Sequence, residues 1–260
     1  MSCLAPAFDI DNHLVVINDL PSLKLAAKPS EVHLWHADLN SFSDSLLADV
    51  ISGDEISRAE RLHFVKDKKH FIVARALLRK LLAAYLGADP RLLTLAYGDM
   101  GKPFLAAGDQ SSQRRISFNL AHSAGRALFA FTQGREVGVD LEYIRNETAG
   151  DNIANRFFSA GEIAAIHALP LDQRKEAFFN CWTRKEAYIK ARGEGFSIPL
   201  DSFEVSVAPE ERAGLLRNHV DEGEVGRWEM HSVNVTPGYV GALVVEGQGW
   251  QLKTFSLIPS

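Results

Sequence analysis

The stretch Phe71-Ile72-Val73-Ala74-Arg75-Ala76-Leu77-Leu78-Arg79-Lys80-Leu81-Leu82-Ala83-Ala84-Tyr85-Leu86-Gly87 carries the strongest helical pattern in the chain. Its apolar side chains recur at helical spacing: Phe71, Ala74, Leu77, Leu78, Leu81, Leu82 and Tyr85. This spacing places them on one face of an α-helix, and glycine is a typical residue to end one. We therefore predict a long helix that covers a core, with a shorter helix before it that begins near Asp54.

Short strands surround the predicted helices in an order that repeats along the chain. Alternating side chains predict a first group of strands: residues 32–39, 92–97, 115–120, 127–131 and 136–142. A second helical pattern covers residues 159–192, with an interruption near Pro170 and a stop at Gly193-Glu194-Gly195. Strand patterns then return over a second group of segments: residues 203–207, 227–235, 239–245 and 250–257.

The repeated order of strand, helices and further strands predicts the fold class. Helices and strands are grouped rather than strictly alternating, so we predict an α+β fold of two similar halves, residues 1–132 and 133–260. No long linker or low-complexity segment separates the halves. The first 30 or so residues contain Pro6, Pro21 and Pro29 and no sustained period, so we expect an arm laid over the surface.

The composition describes a folded, water-soluble chain with a small negative charge. Of 260 residues, 46% are hydrophobic and 23% charged, and the net charge is −5. A chain of this charge has no general attraction to nucleic acid or to an anionic membrane surface, so neither partner is expected. The two cysteines, Cys3 and Cys181, have no disulfide spacing, and the N-terminus lacks a signal-peptide pattern. We therefore expect a cytoplasmic protein.

The most informative short motif is Val137-Gly138-Val139-Asp140-Leu141-Glu142. In a strand, Asp140 and Glu142 project to the same face, because side chains alternate between the two faces. Two neighbouring carboxylates repel each other unless solvent, a basic group or a cation neutralises them. The pair is therefore either a solvated strand end or part of a Mg²⁺ site, since Mg²⁺ binds through one or two carboxylates together with substrate phosphates.

A second motif, Trp182-Thr183-Arg184-Lys185-Glu186-Ala187-Tyr188-Ile189-Lys190, lies in the predicted helix 159–192. Glu186 and Lys190 are one helical turn apart and share a face, where a surface ion pair contributes only about 0.2–0.5 kcal/mol. The apolar residues around them indicate that part of this helix is buried. A partly buried carboxylate next to an ammonium group is a candidate metal ligand or general base.

Positive charge is concentrated in one part of this acidic chain. Between residues 58 and 80 only Glu60 and Asp67 are acidic, against eight basic residues: Arg58, Arg61, Lys66, Lys68, Lys69, Arg75, Arg79 and Lys80. Such a run is either a solvated helix face or a surface that binds an anionic ligand, for which arginine is well suited.

Two weaker motifs complete the set of candidates. Gly101-Lys102-Pro103-Phe104 is typical of a turn before an extended segment, and its lysine could equally be a solvated loop charge. Phe118-Asn119-Leu120-Ala121-His122-Ser123 ends a strand with a histidine, a position where structural hydrogen bonds are common. The sequence has no glycine-rich nucleotide loop, no Cys/His metal spacing and no nucleophile elbow, so it lacks the marks of dinucleotide-binding, P-loop and zinc proteins.

Five segments stand in a specific order along the chain: Gly101-Lys102-Pro103, residues 118–123, residues 137–142, Arg156-Phe157-Phe158-Ser159 and residues 182–190. In this order and spacing they resemble the 4'-phosphopantetheinyl transferases of the broad-specificity, surfactin-activating type, from about residue 54 to the C-terminus. The resemblance implies a monomer with two similar α+β halves and a coenzyme A site in the cleft between them.

The resemblance also implies a reaction and roles for residues. A serine hydroxyl of an apo acyl or peptidyl carrier protein would attack the β-phosphate of coenzyme A, and 3',5'-ADP would leave. Asp140 and Glu142 would bind Mg²⁺, and Glu186 would be a third ligand or the base for the serine. Lys190 would stabilise charge that develops on the diphosphate or would protonate the leaving group. Residues implied in binding coenzyme A are Arg61, Arg75, Lys102, His122, Ser123, Asp140 and Lys190. Many members have serine before the histidine, whereas this chain has Ala121.

Two other functions use the same residues. A Mg²⁺-dependent phosphohydrolase would need similar acidic and basic groups, and it would release 3',5'-ADP without adding mass to a carrier protein. A binding module that keeps the fold without the chemistry would bind coenzyme A independently of Mg²⁺ and show no turnover.

Overall fold

In a computed structural model of the protein, the residues described are 8–9, 13–22, 28–43, 47–98, 101–106, 115–145, 151–193 and 198–260. The α-helices are α1 Gly53–Glu60, α2 Val65–Leu86, α3 Asp151–Phe157, α4 Ala160–Ala168, α5 Leu171–Arg192 and α6 Glu224–Arg227. Short 3₁₀ helices cover Ile17–Ser22, Ala48–Val50 and Leu200–Ser202. None of the helices in these ranges combines the length and the apolar composition that a membrane span needs.

The strands of the first part of the chain are β1 Phe8–Asp9, β2 Leu14–Val16, β3 Glu31–Asp38, β4 Leu95–Tyr97, β5 Pro103–Leu105, β6 Ile116–Ser123 and β7 Arg126–Gln133. The strands that follow are β8 Val137–Tyr143, β9 Phe203–Val205, β10 Leu215–Asn218, β11 Trp228–Asn234, β12 Tyr239–Glu246 and β13 Gln251–Ile258. This mixture of helices and strands confirms the predicted α+β class.

The two larger sheets share one topological unit. The first sheet has the order β2-β13-β3-β7-β6 and the second has the order β1-β11-β12-β8. In each, a strand (β3 or β8) precedes a 22-residue helix (α2 or α5), and an antiparallel pair (β6 and β7, or β11 and β12) follows. The last strand of that pair lies next to the first strand of the unit in both sheets. The repeated order inferred from the sequence thus corresponds to a repeated strand topology.

The ends of the helices follow local sequence signals. A capping box fixes the start of α1, where the Ser52 side chain accepts from the Glu55 backbone N–H and the Glu55 carboxylate accepts from the Ser52 N–H. Both long helices end at a glycine with positive φ, Gly87 at 66° and Gly193 at 73°. The predicted stops at these two glycines are confirmed, and residues 194–197 lie outside the described residues.

Three apolar layers hold these elements together. The α2 helix packs on one face of the first sheet, against the buried Trp35, Phe129 and Phe131. The other face of that sheet meets one face of the second sheet, where side chains such as Leu34 and Val139 are fully buried. The α5 helix and its neighbours cover the remaining face of the second sheet. The two long helices therefore lie on opposite outer faces of the paired sheets.

Described segments near the start and the end of the chain form strands of the two larger sheets. The β1 strand pairs in parallel with β11, β2 pairs in parallel with β13, and Leu20 is 1% exposed in the core. The described part of the predicted arm is therefore integrated into the fold, while residues 1–7, 10–12 and 23–27 lie outside the description. The β13 strand pairs in parallel with β3, so a strand from the C-terminal half joins the sheet of the N-terminal half. A division between residues 132 and 133 stays a prediction.

Candidate active site

The acidic motif forms β8, at one edge of the second sheet. Its partner on one side is β12, where Asp140 lies opposite Ala242 and Glu142 opposite Val240. On the other side lies β6, the edge strand of the first sheet. The carboxylates are thus carried by the strand at which the two sheets meet, and Asp140 is only 5% exposed.

A glycine allows α5 to approach this strand closely. A Cβ atom added to Gly138 would overlap the backbone oxygen of Ala187 and the backbone nitrogen of Ala191. The helix therefore lies directly on β8, and Lys190 Nζ donates to Asp140 Oδ1 at 2.6 Å. The contact brings the motif of residues 182–190 to the acidic pair, as the shared role implied by the resemblance requires.

The three carboxylates affect one another electrostatically. Burial raises the pKa of Glu186 to about 7, and the charges of Asp140 and Glu142 add to that rise. Burial and the neighbouring Asp140 also raise the pKa of Glu142. Burial alone would lower the pKa of Lys190, but the surrounding carboxylates, Asp140 foremost, raise it above its ordinary value. The cluster therefore has more negative charge than its single lysine balances.

A cavity of about 330 Å³ opens beside this cluster, and residues of both α2 and α5 contribute to its wall. Polar groups from both halves line it: Arg75, Lys102, Asn119, His122, Glu186 and Lys190. The apolar part of its wall includes Phe71, Pro103 and Ile189. The wall thus combines the cations Arg75, Lys102 and Lys190 with the carboxylate of Glu186, which suits an anionic ligand that also engages a cation.

Arg75 is a strong candidate for binding an anion in the cavity. It is 8% exposed, and its Nη1 atom is buried without a hydrogen-bond partner. Its guanidinium lies 5.2 Å from the ring of Phe71 and 5.5 Å from that of Tyr97. Burial lowers the pKa of Arg75, which nevertheless remains a cation at neutral pH. A buried guanidinium with an unused donor favours an anionic partner.

His122 and Lys102 also reach the cavity, in different states. The His122 side chain is exposed on the cavity wall, where desolvation by the surrounding protein and the positive charges of His70, Arg75 and Lys190 lower its pKa below the ordinary value. The Lys102 ammonium donates to the carbonyl oxygens of Lys190 at 2.6 Å and Val137 at 3.4 Å. Lys102 therefore also caps the end of α5, a role that its turn motif did not indicate.

Three of the predicted coenzyme A residues are not part of the cavity wall: Asp140, which accepts from Lys190, and the two described next, Arg61 and Ser123. Arg61 is exposed at the end of α1 and is not part of the cavity wall. The Ser123 hydroxyl donates to Glu142 Oε2 at 2.9 Å and accepts from the Tyr143 N–H at 3.1 Å. Both atoms of that hydroxyl are thus used within the protein. Direct contacts of these two residues with coenzyme A remain predictions.

The basic run between residues 58 and 80 is only partly a surface feature. Arg79 is 2% exposed, and its Nε donates to Glu55 Oε2 at 2.6 Å. Its Nη1 donates to the carbonyl oxygens of Pro90 and Leu93. Arg75 is buried as well, so neither of the two interpretations of the run, a solvated face or an anion-binding surface, describes all of it.

Asn119 is absent from the predicted site residues although it lines the cavity. It is 3% exposed, and its Oδ1 accepts from the Val139 N–H at 2.9 Å. The sequence signal that could have identified Asn119 is the alternation of side chains along β6, because it places Asn119, Ala121 and Ser123 on the same face of the strand. A polar side chain on a face that otherwise packs against the second sheet needs a hydrogen-bond partner there.

Within the helix motif only part of the charge faces the cavity. Lys185 pairs with Glu162 at 2.8 Å, and Arg184 donates to the carbonyl oxygen of Ser206 at 2.6 Å. Both basic side chains are at most 1% exposed. Consequently Glu186 and Lys190 are the charged residues of this motif that the cavity exposes to a ligand.

The acidic cluster has the chemistry of a Mg²⁺ site. Its donors are carboxylate oxygens, and Asp140 Oδ2 and Glu186 Oε1 are both buried without a hydrogen-bond partner. Within the described ranges, however, no three His, Cys, Asp or Glu side chains are arranged to hold a metal ion together. The predicted convergence of Asp140, Glu142 and Glu186 on one ion is not seen in these side-chain positions, although the donor types fit.

Comparisons with known proteins agree with the site. A family model described as the 4'-phosphopantetheinyl transferase superfamily matches residues 136–244, and one described as 4'-phosphopantetheinyl transferase, N-terminal, matches residues 33–132. The chain is 36% identical over 235 residues to the 4'-phosphopantetheinyl transferase HetI of a Nostoc species, which covers 90% of this chain and 94% of that protein.

The surfactin-activating subfamily is less firmly supported. The chain is 28% identical over 155 residues to the 4'-phosphopantetheinyl transferase Sfp of Bacillus subtilis, which covers 60% of this chain and 66% of that protein. This is a lower identity over a shorter stretch than with HetI, so the subfamily predicted from the motifs is not confirmed. The superfamily, in contrast, is confirmed. The chain belongs to the 4'-phosphopantetheinyl transferase superfamily and is a transferase.

Proposed function

We propose that this transferase moves the 4'-phosphopantetheine group of coenzyme A onto a serine hydroxyl of apo acyl or peptidyl carrier proteins, in a reaction that requires Mg²⁺. One observation carries the proposal: a single cavity is lined by Arg75 and His122 from before residue 132 and by the carboxylate of Glu186 and the ammonium of Lys190 from α5. Coenzyme A has matching chemistry, with nucleotide phosphates at one end and a diphosphate that binds a cation.

The bonds exchanged define what the residues must do. The serine Oγ forms a bond to the β-phosphorus of coenzyme A, the bond from that phosphorus to the bridging oxygen breaks, and 3',5'-ADP leaves with this oxygen. The serine proton must be accepted as the new bond forms. Glu186, whose pKa lies at about 7, is suited to accept it at Oε1, either directly or through water. Lys190 Nζ would stabilise the negative charge on the former bridging oxygen that leaves with 3',5'-ADP.

Asp140 and Glu142 would hold Mg²⁺, with Glu186 as a third ligand where it does not act as the base. When bound, the cation supplies neutralising charge to the diphosphate. The chain's own contribution is to hold carboxylates at the strand where the sheets meet and to bind the nucleotide phosphates with Arg75 and His122. Such positioning matters because phosphoryl transfer depends on alignment and charge more than on covalent assistance.

Further features of the proposal concern clients and assembly. The order of motifs supports the broad client range of the surfactin-activating type, which includes fatty-acid, polyketide and peptide-synthetase carriers. A monomer in the cytoplasm, acting without nucleic acid or membrane, is expected from the sequence and from the resemblance. Sedimentation of the purified protein tests the monomer, since a dimer would have twice the mass.

Intact-mass analysis tests the reaction directly. Several apo carriers are incubated with enzyme, coenzyme A and Mg²⁺, and a parallel set contains a chelator. We expect a mass gain of one phosphopantetheine group with Mg²⁺ and none with the chelator. Free 3',5'-ADP without a mass gain would favour the phosphohydrolase, and coenzyme A binding that is independent of Mg²⁺ with no turnover would favour the binding module.

Substitutions of the acidic cluster test the assigned residues. Asp140→Ala, Glu142→Ala and Glu186→Ala are each expected to abolish carrier modification, because a missing ligand misplaces the diphosphate. Glu229→Ala is a matched control, since Glu229 is a carboxylate of the same sheet that pairs with His231 away from the cavity. Near-normal turnover in the Glu186 variant would remove that residue from the mechanism.

A further inference from the structure

The edge strands β6 and β8 are joined by side chains of β6. Asn119 Oδ1 accepts from the Val139 N–H at 2.9 Å, and Ser123 Oγ accepts from the Tyr143 N–H at 3.1 Å. Asn119 and Ser123 are four positions apart on one face of β6, which matches the four positions between their partners. Two side chains of one sheet therefore satisfy backbone donors on the edge of the other.

These two contacts flank the acidic pair. Val139 and Tyr143 lie immediately before Asp140 and immediately after Glu142. The Ser123 hydroxyl also donates to Glu142 Oε2 at 2.9 Å, so it fixes both the strand and the carboxylate. Both joining side chains are buried, Asn119 at 3% and Ser123 at 7% exposure, where a lost partner is costly.

The same strand carries a residue of the cavity wall. His122 lies between the two contacts in β6, and successive side chains of a strand point to opposite faces. Its imidazole therefore lies on the α2 side of the first sheet, while Ser123 reaches the second sheet. The distance between His122 in the cavity wall and the carboxylates of β8 thus depends on how β6 is joined to β8.

We propose that Asn119 and Ser123 are positioning residues that hold Glu142 and its strand at the correct distance from the coenzyme A cavity. This inference rests on the proposed role of the β8 carboxylates in binding Mg²⁺. It gives Ser123 a task different from the phosphate contact implied by the resemblance. Partners that orient metal-binding groups in this way affect metal affinity or activity by roughly 10- to 100-fold.

A matched control separates positioning from a general structural role. Thr132 lies on β7 of the same sheet, is fully buried, and donates from Oγ1 to the Arg135 carbonyl oxygen at 2.7 Å. Thr132→Val removes a buried hydroxyl hydrogen bond away from the cavity, as Ser123→Ala does next to it. The two variants are expected to lose similar unfolding free energy, so only the positioning role predicts a difference in catalysis.

The experiment compares full-length wild type, Ser123→Ala, Ser123→Thr, Asn119→Leu and Thr132→Val. Measured quantities are kcat, KM for coenzyme A, the Mg²⁺ concentration for half-activation, and Mn²⁺ binding by calorimetry without substrates. For Ser123→Ala and Asn119→Leu we expect kcat to fall and Mn²⁺ binding to weaken by roughly tenfold or more. For Ser123→Ala, KM for coenzyme A should stay within about twofold, and Ser123→Thr, which keeps the hydroxyl, should recover part of the loss.

Three results would overturn the proposal. A rise in KM for coenzyme A with unchanged Mn²⁺ binding in Ser123→Ala would show a phosphate contact instead of positioning. Equal kinetic losses in Thr132→Val would show a general structural effect. Wild-type kinetics in Ser123→Ala would remove the role altogether. Failure of the wild type itself to modify any carrier would refute the proposed function, and Mn²⁺ binding by wild type and Ser123→Ala would then still test the positioning of Glu142.

Discussion

Replacing Gly138 by alanine should damage the active site more than the fold. The added Cβ would overlap the backbone oxygen of Ala187 and the backbone nitrogen of Ala191, and it would lie 3.0 Å from the Ala191 Cα. Backbone atoms cannot rotate away as a side chain can. Ordinary contacts between heavy atoms require about 3.5–4.0 Å, so α5 must move off β8 by roughly 1 Å or more.

That displacement has two measurable consequences. Inserting a methyl group into a close-packed core costs about 1–3 kcal/mol of unfolding free energy. The move also carries Glu186 and Lys190 away from Asp140, and a misplacement of about 1 Å at reacting groups can lower the rate by about 10²-fold. We therefore expect Gly138→Ala to remain folded at room temperature while kcat for carrier modification falls by about two orders of magnitude.

Urea denaturation and steady-state kinetics on the same preparations measure both effects. The control is Gly226→Ala in α6, because no atom lies within 4 Å of a Cβ at that position and alanine favours a helix. It should keep wild-type kcat and unfolding free energy or gain stability slightly. A Gly138→Ala variant with wild-type kcat would refute the argument that close contact of α5 with β8 assembles the site.

Three further predictions follow from single contacts. Lys190→Met removes an ammonium that lies 2.6 Å from Asp140 Oδ1, where lysine and a metal cation would compete for the same carboxylate. Mn²⁺ binding without coenzyme A should therefore tighten several-fold in calorimetry, while kcat falls. Weaker Mn²⁺ binding would contradict this competition. Lys185→Met leaves Glu162 buried and unpaired and should cost about 3–5 kcal/mol in urea denaturation, and adding Glu162→Gln should restore part of it. Burial lowers the pKa of His36 from 6.5 to about 4, so the neutral imidazole contributes to the unfolding free energy above pH 6.5, and roughly 3 kcal/mol of that free energy is lost as the pH falls towards 4. His36→Leu should therefore show a weaker pH dependence of the unfolding free energy across that range. An unchanged pH dependence would refute the assignment.

The regular elements were largely predictable because their signals are local. Helical spacing and a terminal glycine placed the end of α2 at Leu86 and that of α5 at Arg192, as observed. The strands that were predicted lie within a few residues of the observed ones, since alternation of side chains is itself a property of the strand, whereas β1, β2 and β10 were not predicted. The pairing of β13 with β3 was not predictable, because strand order depends on contacts between distant parts of the chain.

The roles of the predicted site residues stay predictions, and only their proximity can be compared with the structure. Motif order brought together Asp140, Glu186 and Lys190, and the structure places Lys190 on Asp140. The direction of a charged side chain is a different matter, because it depends on which face of the helix is buried. Lys185 therefore turned out to pair with Glu162 in the interior, although it is adjacent to Glu186 in sequence.

The repeated topology explains why the site lies where two halves meet. The β6 strand of the first sheet and β8 of the second are both edge strands, and an edge has backbone donors that no neighbouring strand has taken. Asn119 and Ser123 accept hydrogen bonds from those donors and so join the sheets. The same junction brings Arg75 and His122 in the cavity wall close to Glu186 and to the carboxylates of β8. Arg75 and His122 of the cavity wall come from before residue 132, whereas Glu186 and Lys190 come from after it, so a loss of contact between β6 and β8 should abolish catalysis before either sheet unfolds.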